Sequence, residues 1–220
     1  MIVVTGHCQE NISVKPPTPF ISRVNFNIGL AAIKPNSEQS FENFLRTKFA
    51  VTGGLSLIHE FSREWEMSLQ LNYARKGYKA VSYSTIPDSV PPATEKFVDY
   101  ISLNYIELVI LPRATFGSRN SYNVGIGPYV GIVGSQRLIN ERYINGTQVS
   151  KYGTRDDLPY LDYDVGLTFQ VEYKRDMGRR LSGTVTFTFN QGLLDIAPNA
   201  GLMKNQSMCI LVGITKHKMR

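Results

Sequence analysis

The 220-residue chain has few cysteines, few histidines and no long apolar run, and each shortage removes a class of protein. Its best apolar stretches are "YIELVIL" at 105–111 and "MCILVGI" at 208–214. A membrane-crossing helix needs roughly 18 such residues, so a transmembrane helix is excluded while a transmembrane β-barrel is not. The only cysteines, Cys8 and Cys209, stand at opposite ends of the chain and make neither a disulfide framework nor a metal site. Charged residues make up 19% and hydrophobic ones 42%, which places the chain among folded rather than disordered proteins. The net charge of +6 is spread through loops and turns instead of gathering in a basic run, so it reads as a solvated surface and no nucleic-acid partner is expected.

What the chain does have is alternation. In "DYDVGLTFQVEY" (162–173) the even positions are small or polar and the odd ones apolar or aromatic, the period-two signature of a strand. At about twelve residues it would reach roughly 40 Å, twice the usual globular strand. The same rule runs through "RVNFNIGLAA" (23–32), "EWEMSLQLNYARKGY" (64–78) and "LSGTVTFTFNQG" (181–192). It is less clean in 49–59, 99–116, 122–133 and 207–216, with Pro112 marking a bulge or edge position in the 99–116 segment. The strands total eight.

The connections suggest what solvent these strands meet. Those after the second, fourth and sixth strands are short ("EFSRE", "GSRNS", "KRDMGRR"), whereas those after the odd strands are long loops at 33–48, 79–98, 134–161 and 194–206. Short turns at one end and long loops at the other, with an even strand count, are the pattern of a bacterial outer-membrane barrel. The expected fold is therefore all-β, an eight-stranded antiparallel up-and-down transmembrane β-barrel over residues 22–218, with N- and C-termini in the periplasm. Closure is required because hydrocarbon offers no partner to an unpaired strand edge. Tyrosines 73, 78, 100, 122, 163 and 173 near strand ends suit interfacial aromatic girdles. The first residues read as the remnant of a secretory signal over 1–8, lacking its basic region and most of its apolar region, followed by an extension over 9–21.

An eight-stranded barrel is filled by its own side chains, so an open pore is not expected. The carboxylates Glu66, Asp162, Asp164 and Glu172 should then face the lumen and find basic partners, with Glu107, Arg75, Lys76 and Arg113 as the candidates, because isolated charges in such a plug cost too much. No catalytic residue, metal or cofactor is expected. His7 falls in the signal remnant, while His59 and His217 fall at the short-turn end, so none is placed to activate a nucleophile near the outer leaflet. Asp156 and Asp157 read as loop solubility rather than a calcium site. Glycines 125, 127 and 131 resemble a phosphate loop only superficially, since no helix follows them and close packing explains them better.

Three segments resemble a known family. "YIELVILPRATFG" (105–117) is similar to the "YLEIPLLLKY" strand of the PorT-like outer-membrane β-barrel proteins of Bacteroidetes, "LNYARKGY" (71–78) to that family's third-strand ending, and "YNVGIGPYVGIV" (122–133) to its "GPYVG" segment. Order and spacing agree over roughly residues 22–216. The carboxyl end, "LVGITKHKMR", lacks the final aromatic usual in that family. The resemblance implies an integral outer-membrane protein with lipid or lipopolysaccharide around it and the barrel-assembly machinery as its partner during biogenesis. It implies a structural or interaction role carried by the surface loops, or accessory service in a protein-secretion or gliding apparatus. A soluble lipocalin-like carrier is the remaining alternative, and it would fold without detergent.

Overall fold

The computed structural model describes residues 21–34, 36–37, 45–87, 92–117, 120–155, 161–178, 180–196 and 203–217. The expected signal remnant, and all but the last residue of the N-terminal extension, lie outside them. The strands are β1 (Arg23–Ile33), β2 (Asn36–Ser37), β3 (Leu45–Arg46), β4 (Lys48–Glu60), β5 (Trp65–Lys76), β6 (Lys79–Ile86), β7 (Ala93–Gly117), β8 (Asn120–Ile144), β9 (Thr147–Arg155), β10 (Tyr163–Asp176), β11 (Leu181–Gly192), β12 (Met203–Lys204) and β13 (Gln206–His217). Eight of them, β1, β4, β5, β7, β8, β10, β11 and β13, pair in that order, each antiparallel to the next. The β1–β13 pairing closes the ring.

The closed ring is staggered. Stepping from partner to partner, a path leaves β1 at Arg23, passes Ile58, Ser68 and Leu111, crosses to β8, and continues through Thr168, Asn190 and Ser207 back to β1 at Ile33. It returns almost a full strand length from where it began. Such a shear is what tilted strands need in order to close a cylinder.

The two faces of the ring are inverted relative to a water-soluble barrel. Along β1, Phe26, Ile28 and Leu30 are 62%, 60% and 62% exposed, while Arg23 and Asn25 are 3% and 2% exposed. The pattern repeats on every strand of the ring, with Leu69, Leu71, Ile106, Ile110, Ile126, Val185 and Ile210 outside and Ser68, Gln70, Thr168, Gln170, Thr186 and Thr188 buried inside. Water outside such a surface would face a continuous apolar belt far larger than a soluble monomer carries. At the short-turn end Trp65, Phe116 and Tyr122 are exposed on the outer face, and the rings of Tyr122 and Tyr173 lie 5.2 Å apart. Tyr73 and Tyr163 are exposed near the other end. Tyr78 departs from the girdle expected of it: it is buried with Ile101, Leu103, Tyr105, Ile196 and Met203 in an apolar cluster at the long-loop mouth.

Two of the long connections are not loops. The segments 79–98 and 134–161 contain β6, β9 and the upper halves of β7 and β8, which continue past the ring as a protruding sheet. Twenty-five residues in β7 and in β8 correspond to about 80 Å of strand, far more than a tilted crossing of the hydrocarbon uses. The β8–β9 connection is the two-residue turn Asn145-Gly146, with φ of 49° and 84°. Paired positive φ values define the hairpin turn that Asn-Gly favours most strongly. Pro112 sits where the β7–β8 ladder breaks between Val109–Tyr129 and Arg113–Gly125, as a residue without an N–H must. The register shift itself lies higher, at Asn104/Tyr105.

Candidate functional site: the lumen charge network

Alternation delivers polar side chains to the lumen from all sides, and register decides which of them meet. Near the short-turn end, Glu66 on β5 receives the guanidinium of Arg23 from β1 on one oxygen and that of Arg113 from β7 on the other. Arg23 also lies 3.1 Å from Glu60, and Arg113 lies 3.4 Å from Glu172 on β10. Glu172 accepts a 2.7 Å hydrogen bond from Asn123, with Asn25 and Thr186 each 3.4 Å away. One cluster of ion pairs and hydrogen bonds thus ties seven strands of the ring together across its axis.

A second cluster stands near the long-loop mouth. The Lys76 ammonium lies 2.5 Å from Glu107 and 2.8 Å from Asp164, with the ring of Tyr129 4.4 Å and that of Tyr105 5.0 Å from it. Asp164 accepts hydrogen bonds from the Tyr129 hydroxyl at 3.0 Å and from Asn205 at 2.9 Å. Asn205 stands between β12 and β13, with its side chain in the lumen. Its neighbour Met203 bonds the Asp195 carboxylate and the Ile196 backbone, and Ile196 and Met203 cap the cluster with apolar surface.

Between the clusters runs a neutral belt, in which Gln70 bonds Gln170 at 2.9 Å across the lumen and Thr168 bonds Asn190 at 2.9 Å. Beside it, a cavity lined by Thr52, Ala74, Lys76, Glu107 and Cys209 has about 20 Å³ of free volume, room for about one water molecule. Glycine makes these contacts possible. A Cβ on Gly125 would stand 2.6 Å from Arg113 Cγ, and one on Gly166 would stand 2.2 Å from the Gln191 carbonyl and 2.5 Å from the Tyr129 ring.

Of the eight residues expected in the network, Glu66, Arg113 and Glu172 meet in the first cluster, and Lys76, Glu107 and Asp164 in the second. Arg75 does not join them. It directly precedes Lys76 in a regular strand, so period two turns it to the outer face, where it is exposed and lies 3.4 Å from the Ser102 hydroxyl. Asp162 is exposed just before β10 and accepts a 3.5 Å bond from Gln136 instead. Arg23, Tyr129 and Asn205 were missed. Arg23 was readable by its parity with Asn25 and Asn27, whereas Asn205 arrives from a segment with no periodicity.

A serine, a histidine and an aspartate do come together at the short-turn end. The buried Ser182 hydroxyl on β11 lies 2.6 Å from Asp176 on β10 and 2.6 Å from His217 Nε2 on β13. In nucleophilic catalysis the imidazole stands between serine and carboxylate, so that it can take the proton. Here the hydroxyl stands in the middle, giving its proton to Asp176 and accepting from His217. The arrangement clasps three strands.

A family model described as outer membrane protein beta-barrel domain matches residues 20–197. The chain belongs to that family. The inverted faces and the closed antiparallel ring are what its place in the outer membrane requires. Among solved structures, the chain is similar to OprG of Pseudomonas aeruginosa (10% identity, TM-score 0.48, covering 91% of this chain and 97% of that one). It is also similar to the attachment invasion locus protein Ail of Yersinia pestis (9% identity, TM-score 0.40, 89% and 99%) and to Neisserial surface protein A (11% identity, TM-score 0.39, 89% and 97%). No curated protein sequence matches the chain.

Proposed function

We propose that this family member is a closed, non-enzymatic anchor: a barrel that conducts nothing and holds the sheet of β6, β7, β8 and β9 outside the cell as an interaction surface. Both termini of the ring lie at the short-turn end, so the periplasm receives them and the long connections face outward. The observation that carries this reading is the filled lumen, with ion-pair clusters at two levels, a neutral amide belt between them and, beside that belt, a cavity of only about 20 Å³. A hydrated ion needs a continuous polar path, and the apolar lid of Tyr78, Ile101, Leu103, Ile196 and Met203 interrupts it. The lateral surface takes lipid and lipopolysaccharide, and β13 is the strand offered to the barrel-assembly machinery during biogenesis.

The test is conductance of the refolded protein in a planar bilayer. A baseline without discrete steps is expected, and single-channel openings at modest voltage would overturn the closed reading. The narrower PorT-like role, accessory service in secretion or gliding, is supported by the three segments at 71–78, 105–117 and 122–133. Its readout is the set of secreted proteins after gene deletion, which an uninvolved barrel would leave unchanged.

A further inference from the structure

The outward face of the protruding sheet carries a groove of about 490 Å³ lined by Lys79, Tyr83, Lys96, Tyr100 and Tyr143. Cross-strand pairing puts Lys79 beside Tyr100 and sets Lys96 between Tyr83 and Tyr143. The Lys79 ammonium stands 5.1 Å from the Tyr100 ring centroid, and that of Lys96 stands 6.0 Å and 5.6 Å from those of Tyr83 and Tyr143. Two other cations of this sheet are neutralised: Lys151 lies 2.8 Å from Glu141, and Arg142 is bound to Glu95. Among the described residues, neither Lys79 nor Lys96 has a carboxylate in ion-pair contact, although the Lys79 charge is felt at Glu141, whose carboxylate is already held by Lys151. Lysine on tyrosine without a contacting carboxylate leaves positive charge beside flat rings, a combination that suits an anionic sugar. The pyranose ring stacks and its phosphate or carboxylate meets the ammonium.

The position of the groove selects the source of that sugar. Even-numbered residues of β7 keep one face from Ile110 through Ile106 to Tyr100 and Lys96, so the groove continues the lipid-facing side of the ring. With the strand's rise and tilt, Tyr100 stands about 15 Å and Lys96 about 25 Å above Ile106. That is the layer of headgroup sugars next to the barrel rather than the lumen axis. We propose that this groove binds the anionic saccharide headgroup of a glycolipid in the outer leaflet beside the barrel, with Lys79 and Lys96 on its charged groups and the three tyrosines under its rings. The proposal rests on the interaction-surface reading above and names the ligand class for it.

The experiment uses the full chain refolded in detergent, with deacylated core saccharide of a rough-type lipopolysaccharide as the probe, both intact and with its phosphates removed. The wild type is expected to bind the intact saccharide, less tightly as salt rises. The double variant Lys79→Ala/Lys96→Ala should lose about tenfold or more in affinity, as should removal of the phosphates. Tyr83→Leu/Tyr100→Leu should weaken binding while keeping its salt dependence. A compact gel band that shifts on boiling certifies that each variant is folded, and Lys216→Ala at the short-turn end should bind like wild type. Absence of binding by the wild type, or a lysine double variant within twofold of it, would overturn the proposal. A closed baseline in the bilayer alongside either result leaves the anchor reading standing, and channel activity alongside intact saccharide binding removes that reading alone.

Discussion

At the level of single residues, the lumen is a problem of buried charge. Lys76 holds Glu107 and Asp164 together, so Lys76→Met leaves two carboxylates facing each other without a cation. Breaking a buried pair in this way costs about 3–5 kcal/mol, which should appear as a lower urea midpoint of the folded band in detergent. Restoring neutrality with Glu107→Gln and Asp164→Asn on top of Lys76→Met should recover most of that loss, which separates charge from packing. A second residue-scale prediction concerns Gly166. Because a Cβ there would meet the Gln191 carbonyl and the Tyr129 ring, Gly166→Ala should destabilise by about 1–3 kcal/mol, whereas Gly153→Ala, where a Cβ would meet nothing nearer than 3.6 Å, should not cost a packing clash. Which charges enter the lumen was legible from parity alone, and applying parity strictly also turns Arg75 outward. Which charges pair was not. Arg23 and Arg113 meet at Glu66 only through the registers of β1, β4, β5 and β7, and register is a property of the closed ring.

At the level of elements, the eight crossing strands were legible because each keeps one polar and one apolar face for its whole length. Alternation alone does not say which face is wet, and the loop lengths had to decide it. The same segments that decided it, 79–98 and 134–161, were themselves strands. Their alternation is masked by polar residues on both faces, as expected of a sheet with water on both sides. The Asn145-Gly146 pair was the available signal. Gly146→Val, at φ +84°, should therefore raise amide exchange through β8 above Leu138 and through β9, while amides of β10 and β11 stay protected. This hairpin also carries a pH dependence. The Lys151 ammonium, and then the Tyr143 hydroxyl, hold the Glu141 carboxyl below its ordinary range. A lowered folded-state pKa contributes stability above the unfolded-state value and loses it as pH falls through the folded one. Protection of the β8–β9 hairpin should thus decline on acidification below the usual carboxylate range, and Lys151→Ala should flatten that decline.

At the level of the whole molecule, the ring has no interior of the ordinary kind. A soluble barrel buries its apolar residues, whereas here the apolar side chains Phe26, Ile28, Leu69, Ile106, Ile126 and Ile210 point outward and the buried volume is filled with arginine, lysine, carboxylate and amide. Removing lipid removes the solvent those outer residues need, and the lumen polar groups cannot compensate, because in an unfolded chain water satisfies them as well. Folding should therefore require detergent or lipid. Refolded into micelles, the chain should run as a compact band that shifts to full length on boiling, and diluted into buffer alone it should aggregate. A monomeric, detergent-free β protein would mean that the faces were assigned inside out, with the charge clusters at the surface. Turning the strands over would carry every apolar residue named above into the lumen and would move Lys76 and Arg113, on the opposite faces of β5 and β7, out to the surface, so the whole ring inverts together and detergent dependence decides between the two facings.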